Sequence, residues 1–317
     1  MTAVPNPFEL AARSFEPPQP RPPDPIVDAG PAVLAAHLDP TNYVRRPHLD
    51  VISEAWADIH QGEDDRLALS MPSQVGKTTT AVDWAVFWWL ILHPKHRVAV
   101  ATYGDSLAVV RGRAVRRLVE QYGETYGLKL DRSTWSAHDW SLTTGGGLLS
   151  VGVGSGFTGR PCDLAIVDDP HKDRPDADSR VIRLGVHNWW SAVVVPRMAP
   201  GAPIIIVQTR WPPDDLIGRV TLHEGTTDKG GRWRVISMPA LCTDPKSDPL
   251  GRGMGDPLPH PRIVEGNTTA LLRHWHERRS SMTPRDWSAI CQCDPKPPGG
   301  ALLTDDELRD SRRFDPA

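Results

Sequence analysis

The segment Leu67–Leu92 constrains this chain most. A short apolar run ends at Ser70, a polar loop Met71-Pro72-Ser73-Gln74-Val75-Gly76-Lys77 follows, and an apolar stretch starts at Thr78. A buried strand, a tight loop ending in Gly-Lys-Thr and a helix form an arrangement that holds a polyphosphate. Amide N–H groups of the loop and the helix N-terminus face the oxygens, a lysine reaches the β- and γ-phosphates, and a hydroxyl ligates Mg²⁺. Lys77 and Thr78 fill the last two roles, and Ser73, Gln74, Val75, Gly76 and Thr79 complete the nucleotide-binding set. Met71 stands where the usual pattern has glycine. The flanking strand and helix therefore carry the reading, because any surface turn can contain Gly-Lys-Thr.

Such a loop needs an acidic counterpart at the end of another buried strand, and Leu164-Ala165-Ile166-Val167-Asp168-Asp169 supplies it. Asp168 would hold Mg²⁺ through water, and Asp169 would orient and activate a water for in-line phosphoryl transfer. Taken alone, two carboxylates after a strand read as a solvated turn or a helix cap; the upstream loop changes that weighing. A third strand, Ile204–Gln208, runs into Thr209-Arg210-Trp211. Its end falls at the sheet edge where parallel sheets bind ligands. Gln208 or Thr209 could sense a γ-phosphate there, and Arg210 could meet a phosphate or a carboxylate; an ordinary polar strand end is the plainer alternative.

Around these motifs the pattern alternates. Helical spacing covers Pro47–His60, Thr78–Leu92, Ser106–Tyr122 (capped by Asp105 or Ser106), Ser179–Trp190 and a start at Asp214–Leu222. Apolar strands are expected at Leu67–Ser70, Arg97–Thr102, Leu164–Val167, Ile204–Gln208 and Trp233–Ser237. Trp140–Thr144 and Leu148–Val153 flank three glycines as a hairpin. The fold class is α/β, a mainly parallel sheet covered by helices on both faces. Residues 1–31 carry nine prolines and read as a disordered or extended arm, giving a division into an arm at 1–42, a globular domain at 43–300 and the start of a linker at 301–317. Residues 241–262 read as a long surface loop.

Lys and Arg number 36 against 39 Asp and Glu, which excludes a polycation and confines any grip on nucleic acid to a local patch. Four scattered cysteines make neither a disulfide framework nor a zinc site. No apolar run reaches the ~20 residues of a membrane span, so a soluble cytoplasmic protein without a signal peptide is expected. Tryptophan, at 12, outnumbers Tyr and Phe together at 4 and 5, and nothing in the sequence accounts for it.

Over about residues 43–303 the chain resembles the ATPase half of tailed-phage large terminase subunits. The likeness rests on Arg46-Pro47-His48, on the glycine-poor loop within Leu67–Thr79, and on Ala99–Thr102 followed by Arg111 and Arg113. It continues through Gly159-Arg160-Pro161 before Val167-Asp168-Asp169-Pro170, Gln208–Trp211 followed by Asp214-Asp215-Leu216, and Trp287–Gln292 with Asp294-Pro295 and Gly299-Gly300. The resemblance implies a P-loop NTPase of the additional-strand, RecA-like class that hydrolyses ATP with Mg²⁺ to package double-stranded viral DNA. It implies work in the host cytoplasm as a homo-oligomeric ring, pentameric on the procapsid portal, with a portal protein and a small terminase subunit as partners. Three features depart from the family. Ser73 stands where many relatives have a basic residue, which makes Arg160 the candidate arginine finger acting in trans. Asp169 replaces a frequent Glu. The nuclease that usually follows is expected to be absent, since Asp305, Asp306 and Asp310 are too few for its metal cluster.

DNA contacts are less marked. Arg113, Arg116 and Arg117 share one helix and could face phosphates, although a solvated helix face explains them as well. A second basic cluster, Arg273–Arg285, includes His274-Trp275-His276, which partly buried helix residues explain. The competing functions are another nucleic-acid translocase or helicase, which needs a second RecA-like domain, and a non-catalytic packaging fragment whose nuclease is encoded separately.

Overall fold

The computed structural model describes residues 22–156 and 161–297. It opens with two short helices, α1 (Pro25–Asp28) and α2 (Pro31–Leu38). Each starts on a proline in its first turn, where a missing N–H costs nothing. The Asp24 carboxylate caps α1 by accepting from the amides of Ile26 and Val27. Val27, Ala32, Leu34 and Ala35 are fully buried. The arm expected through residue 42 is therefore corrected from Asp24 onward: these prolines mark helix starts packed into the core. Residues 1–21 lie outside the described residues.

Helix α3 (Pro47–Gln61) follows and ends on Gly62, whose φ of +80° suits the left-handed C-terminal position. Then come β1 (Arg66–Ser70), the loop, and a helix that is π-wound over Thr79–Trp84 before continuing as α4 (Ala85–Leu92). Next are β2 (Arg97–Thr102) and α5 (Asp105–Tyr122), then the three strands β3 (Leu130–Trp135), β4 (Asp139–Leu142) and β5 (Gly147–Gly152). The remainder is β6 (Leu164–Asp168), α6 (Arg174–Asp178), α7 (Arg180–Trp189), β7 (Ile204–Gln208), α8 (Leu216–Glu224), β8 (Arg234–Ser237), α9 (Thr268–Ser280) and α10 (Pro284–Asp286).

The eight strands form one sheet in the order β3-β4-β5-β2-β6-β7-β1-β8. From β5 to β8 every pairing is parallel, while β4 runs antiparallel to both β3 and β5. Strand β7 is inserted between β1 and β6, the two strands that carry the phosphate loop and the acidic pair. This is the additional-strand arrangement. Strand β3 has no counterpart in the sequence reading; its sequence Leu-Asp-Arg-Ser-Thr-Trp alternates weakly and pairs with a register shift. The expected α5 cap is also corrected. Gly104 occupies the N-cap, and the Asp105 carboxylate instead accepts from the Gly152 amide at 2.9 Å and the Ser155 hydroxyl at 3.2 Å. It ties α5 to the end of β5.

Side chains alternate across the sheet with the period of two that a strand imposes. Leu67, Leu69, Val98, Val100, Ile166, Ile205 and Val207 face the layer of α1–α5. Ala68, Ala99, Ala101, Ala165 and Val167 face α7 and α8. Small residues on that second face leave room for bulk on its cover, and Trp189, Trp190 and Trp233 fill it, the last two with ring centroids 5.9 Å apart. Trp56 meets Trp88 and Trp89 edge to face on the other layer, at 6.4 and 6.0 Å, a favoured aromatic geometry. Two buried indole N–H groups find carbonyls: Trp88 donates to Val27 at 2.6 Å and Trp140 to Gly112 at 3.2 Å. A Cβ on Gly112 would stand 2.6 Å from the Ala137 carbonyl oxygen, so glycine there lets α5 lie close on the hairpin.

The 241–262 loop is irregular, as expected, but not wholly at the surface. Arg252 is buried in it, paired with Asp248 at 2.7 Å and donating to the carbonyls of Pro239 and Asp256, and Leu258 is fully buried. The four cysteines are free. No helix among the described residues is long and apolar enough to cross a membrane, and among them no cluster of His, Cys, Asp and Glu could hold a metal by itself.

Three histidines gather beside Trp89. The His60 Nδ1 lies 3.0 Å from His93 Nε2, and the His93 and His96 rings stack at 4.3 Å. Burial, then the neighbouring His96 and His60, push the His93 imidazole down to about 2. The folded chain keeps His93 neutral, while the unfolded chain takes up its proton below about pH 6.5. Its contribution to stability is whole above that pH and is lost as pH falls toward the folded value. Urea unfolding of His93→Phe at pH 7 and pH 5 should show about 2 kcal/mol less loss over that interval than wild type; an equal loss in both would refute this linkage.

Candidate nucleotide site

The loops after β1, β6 and β7 meet at the carboxyl edge of the sheet. Register pairs Ser70 with Gln208 and Val167 with Ile206, so the three strand ends lie level. After Ser70 the chain buries Met71 fully with no positive φ at that residue. A glycine is therefore not required there, which is the physical reason this loop departs from the usual pattern. The left-handed positions come later, at Gln74 with φ +65° and Gly76 with φ +93°. The second suits glycine, which lacks the Cβ that strains this region.

Two residues hold the loop from outside. His48 on α3 is fully buried, and its Nε2 meets the Val75 carbonyl at 2.8 Å. Desolvation pushes the His48 imidazole down to about 4, so it is neutral at pH 7, with Nε2 as the protonated donor. The Tyr43 hydroxyl lies 2.6 Å from the Thr80 hydroxyl on the π-wound turn. Such turns insert one residue into a helix and are common at functional sites.

Lys77 is the centre of the arrangement. Its side chain is buried, and Nζ donates to Asp169 Oδ1 at 3.3 Å and to the Thr209 hydroxyl. Asp169 Oδ1 also accepts from the Thr209 amide at 2.5 Å. Asp169 itself has φ +43°, a region that costs a non-glycine residue of order 1 kcal/mol and that Asp tolerates better than most. The Asp169 amide donates to the Val207 carbonyl at 2.8 Å, which fixes this turn against β7. One ammonium thus joins the phosphate loop, the acidic pair and the end of the inserted strand.

The Thr78 hydroxyl donates to Asp168 Oδ1 at 3.2 Å. Burial, and then the adjacent Asp169 carboxylate, push the Asp168 carboxyl up to about 8 although Lys77 and Arg111 oppose this. A buried Asp side chain beside a threonine hydroxyl is a hard-oxygen donor set that fits Mg²⁺, which takes few protein ligands and completes its shell with water and phosphate. Nearby, Arg111 pairs with buried Asp83 at 2.8 Å, and burial still pushes the Asp83 carboxyl up to about 7.

Among the third group, Gln208 is fully buried, and neither its amide oxygen nor its nitrogen has a hydrogen-bond partner among the described residues. Such a group marks a place where water or a ligand belongs. Arg210 meets a carboxylate and not the loop: Nε donates to buried Asp215 at 2.8 Å. Thr79 is exposed, Ser73 is half-buried and Val75 is fully buried. Arg113 and Arg117 are exposed one turn apart on α5. Arg116 differs from both, since its guanidinium reaches the Ser136 carbonyl at 3.3 Å and Glu120 at 3.3 Å. Arg160 lies outside the described residues, as do Gly159, Gly299, Gly300, Asp305, Asp306 and Asp310.

The sequence reading missed Arg278 on α9. Its guanidinium donates to the Ser73 hydroxyl at 3.3 Å and to the Gln74 side-chain oxygen at 3.2 Å. Its distance along the chain from the loop is so great that no local pattern announces it. His48 and Asp215 were noted only as parts of motifs, without the contacts they make.

An amide of the same shape should cost little at Asp168 in the metal-free protein. Asp168→Asn is expected to melt within about 3 °C of wild type but to lose the added stabilisation that Mg²⁺ gives with ATPγS. Thermal melts with nucleotide, with and without Mg²⁺, check this, and an undiminished Mg²⁺ effect would exclude Asp168 from the cation site.

No protein-family model matches this chain, and no curated protein matches it. Among solved structures it is similar to the large terminase of bacteriophage HK97, with TM-score 0.52 and 14% identity over 81% of this chain and 52% of that one. The large terminase of a thermophilic bacteriophage in complex with ATPγS gives 0.47 and 9% identity, over 78% of this chain and 52% of that one. The ATPase domain of the Thermus phage P74-26 large terminase gives 0.45 and 14%, over 74% of this chain and 90% of that one. The chain spans about half the length of the first two of these proteins. Its mostly parallel, eight-stranded P-loop architecture is the fold found in phage large terminases.

Proposed function

We propose that this chain is the ATP-hydrolysing motor part of a phage large terminase, which drives double-stranded DNA into a procapsid. The observation that carries the reading is the convergence of Lys77, Asp169 and Thr209 on one ammonium beside the Thr78–Asp168 pair. A merely structural strand edge has no need of a buried lysine, two adjacent carboxylates and a partnerless glutamine in one place.

In this reading the loop amides and Lys77 take the phosphates of ATP, and Thr78 and Asp168 hold Mg²⁺. When bound, the cation neutralises charge on the β- and γ-phosphate oxygens. Lys77 then turns from Asp169 toward phosphate, and the Asp169 carboxylate becomes available to orient a water. The water oxygen forms a bond to the γ-phosphorus as the bond to the bridging oxygen breaks, and its proton passes toward Asp169. Thr209 and Gln208, at the end of β7, stand where loss of the γ-phosphate changes their partners, and Asp215 and Arg210 pass that change to α8.

Further parts of the proposal rest on the terminase resemblance. They are a ring, pentameric on the portal, with Arg160 acting on the neighbouring subunit's nucleotide; a portal protein and a small terminase subunit as partners; and work in the host cytoplasm. Arg113 and Arg117 offer an exposed pair for DNA phosphates, with Arg116 held by its own protein neighbours.

ATP turnover of the purified chain, alone and with linear duplex DNA and procapsids, tests the proposal. DNA should stimulate turnover, and Lys77→Ala and Asp169→Asn should each lower kcat on the order of a hundredfold or more. Arg113→Glu with Arg117→Glu should reduce the DNA stimulation and leave basal turnover. Unchanged turnover in Lys77→Ala would remove the site, and turnover indifferent to DNA would remove the motor.

A further inference from the structure

The cations around the candidate site differ in what they face. Lys77 meets the Asp169 carboxylate, Arg210 meets Asp215 and Arg111 meets Asp83. Arg278 meets no carboxylate: among the described residues its guanidinium meets the neutral oxygens of Ser73 and Gln74, at 3.3 and 3.2 Å, and the Cys291 thiol, and forms no ion pair. An arginine held by neutral acceptors keeps its full charge for an anion, and its planar fork matches phosphate geometry. Both oxygen acceptors belong to the phosphate loop, and Gln74 is one of its two left-handed positions.

The platform under Arg278 is rigid. One turn before it, Trp275 is fully buried and donates from its indole nitrogen to the Leu258 carbonyl at 2.9 Å. Leu271 is buried a turn earlier, and Asn267 caps the helix by accepting from the Ala270 amide at 3.0 Å. Arg278 also lines an open cleft of about 370 Å³ with His274, Glu277, Ser281 and Met282. The helix that carries the side chain is therefore packed at its root, and Arg278 borders open space.

We propose that Arg278 is a phosphate ligand of the bound nucleotide. It is supplied in cis by α9 and leaves Ser73 and Gln74 for the terminal phosphate when a triphosphate enters. Ser73 and Gln74 serve as the resting acceptors. The inference rests on the nucleotide-site reading above and adds to it a residue that distinguishes ATP from ADP. Because α9 lies near the end of the domain, the same contact makes its position depend on the number of phosphates in the site.

Fluorescent ATP and ADP analogues, titrated into the full chain, test it together with steady-state turnover. Arg278→Ala should weaken ATP about tenfold or more and ADP by less than about threefold, with a lower kcat and an unchanged melting temperature. Arg278→Lys, which keeps the charge and loses the fork, should recover part of the difference. An Arg278→Ala protein with the wild-type ratio of ATP to ADP affinity would overturn the proposal; should that variant misfold, Arg278→Gln carries the same comparison. Failure of the nucleotide-site reading has its own signature: wild type would bind neither nucleotide, and Lys77→Ala would change nothing.

Discussion

The Lys77 ammonium is the interaction on which the candidate site depends. It is buried between a carboxylate from the β6 end and a hydroxyl from the β7 end. A buried cation without such partners is expensive, and removing one partner leaves the other charge uncompensated. The sheet order makes this bridge possible. Had β6 paired directly with β1, Asp169 would sit beside the phosphate loop with no third element. With β7 between them, Thr209 lies within reach of both, and the Asp169 backbone is held against Val207. A strained turn at Asp169 persists because the neighbouring strand determines it.

The same sheet sets the character of the core. Its two faces differ in that Ala68, Ala99, Ala101 and Ala165 lie on one, among Val167, Ile204 and Ile206, while leucines, valines and isoleucines line the other. A close-packed interior must fill the space that alanines leave, and indoles from α7, its extension and the start of β8 do so. Trp189, Trp190 and Trp233 pack over the alanines of that face, and on the other side the Trp56–Trp88–Trp89 cluster seats α3 against α4.

Much of this was legible in the sequence, since strand–loop–helix order and carboxylates at strand ends are local signals. Ile204–Gln208 was read to the residue, as was Arg97–Thr102, and Arg66–Ser70 nearly so, because each is a largely apolar run of buried-strand length. Helices α1 and α2 were not legible. Proline density resembles disorder until one sees that Pro25 and Pro31 each lie in a first turn, where the ring is tolerated. Strand β3 was missed because polar residues occupy most of it and its support is a neighbouring strand. Within the site, Lys77, Thr78, Asp168 and Asp169 could be named from motif spacing. Arg278 and the His48–Val75 contact could not, for they are products of chain reversal over long separations.

Beyond the bridge, the edge that carries the site is joined to the rest of the domain by polar contacts from the same loops. Asp215, fully buried, accepts from Arg210 and caps α8 by accepting from the Gly218 amide at 3.0 Å. The next residue of the β7 turn, Trp211, lies under the Arg174 guanidinium at 5.0 Å. Arg174 in turn pairs with Asp286 of α10, and Arg285 pairs with Asp178 of α6. Gln292 then closes against Leu241, exchanging hydrogen bonds with its backbone at 3.0 Å in both directions. Each link is half-buried or better, so salt screens it less than a surface pair. The end of β7 is thus joined to α8 through Asp215 and to α10 through Trp211 and Arg174.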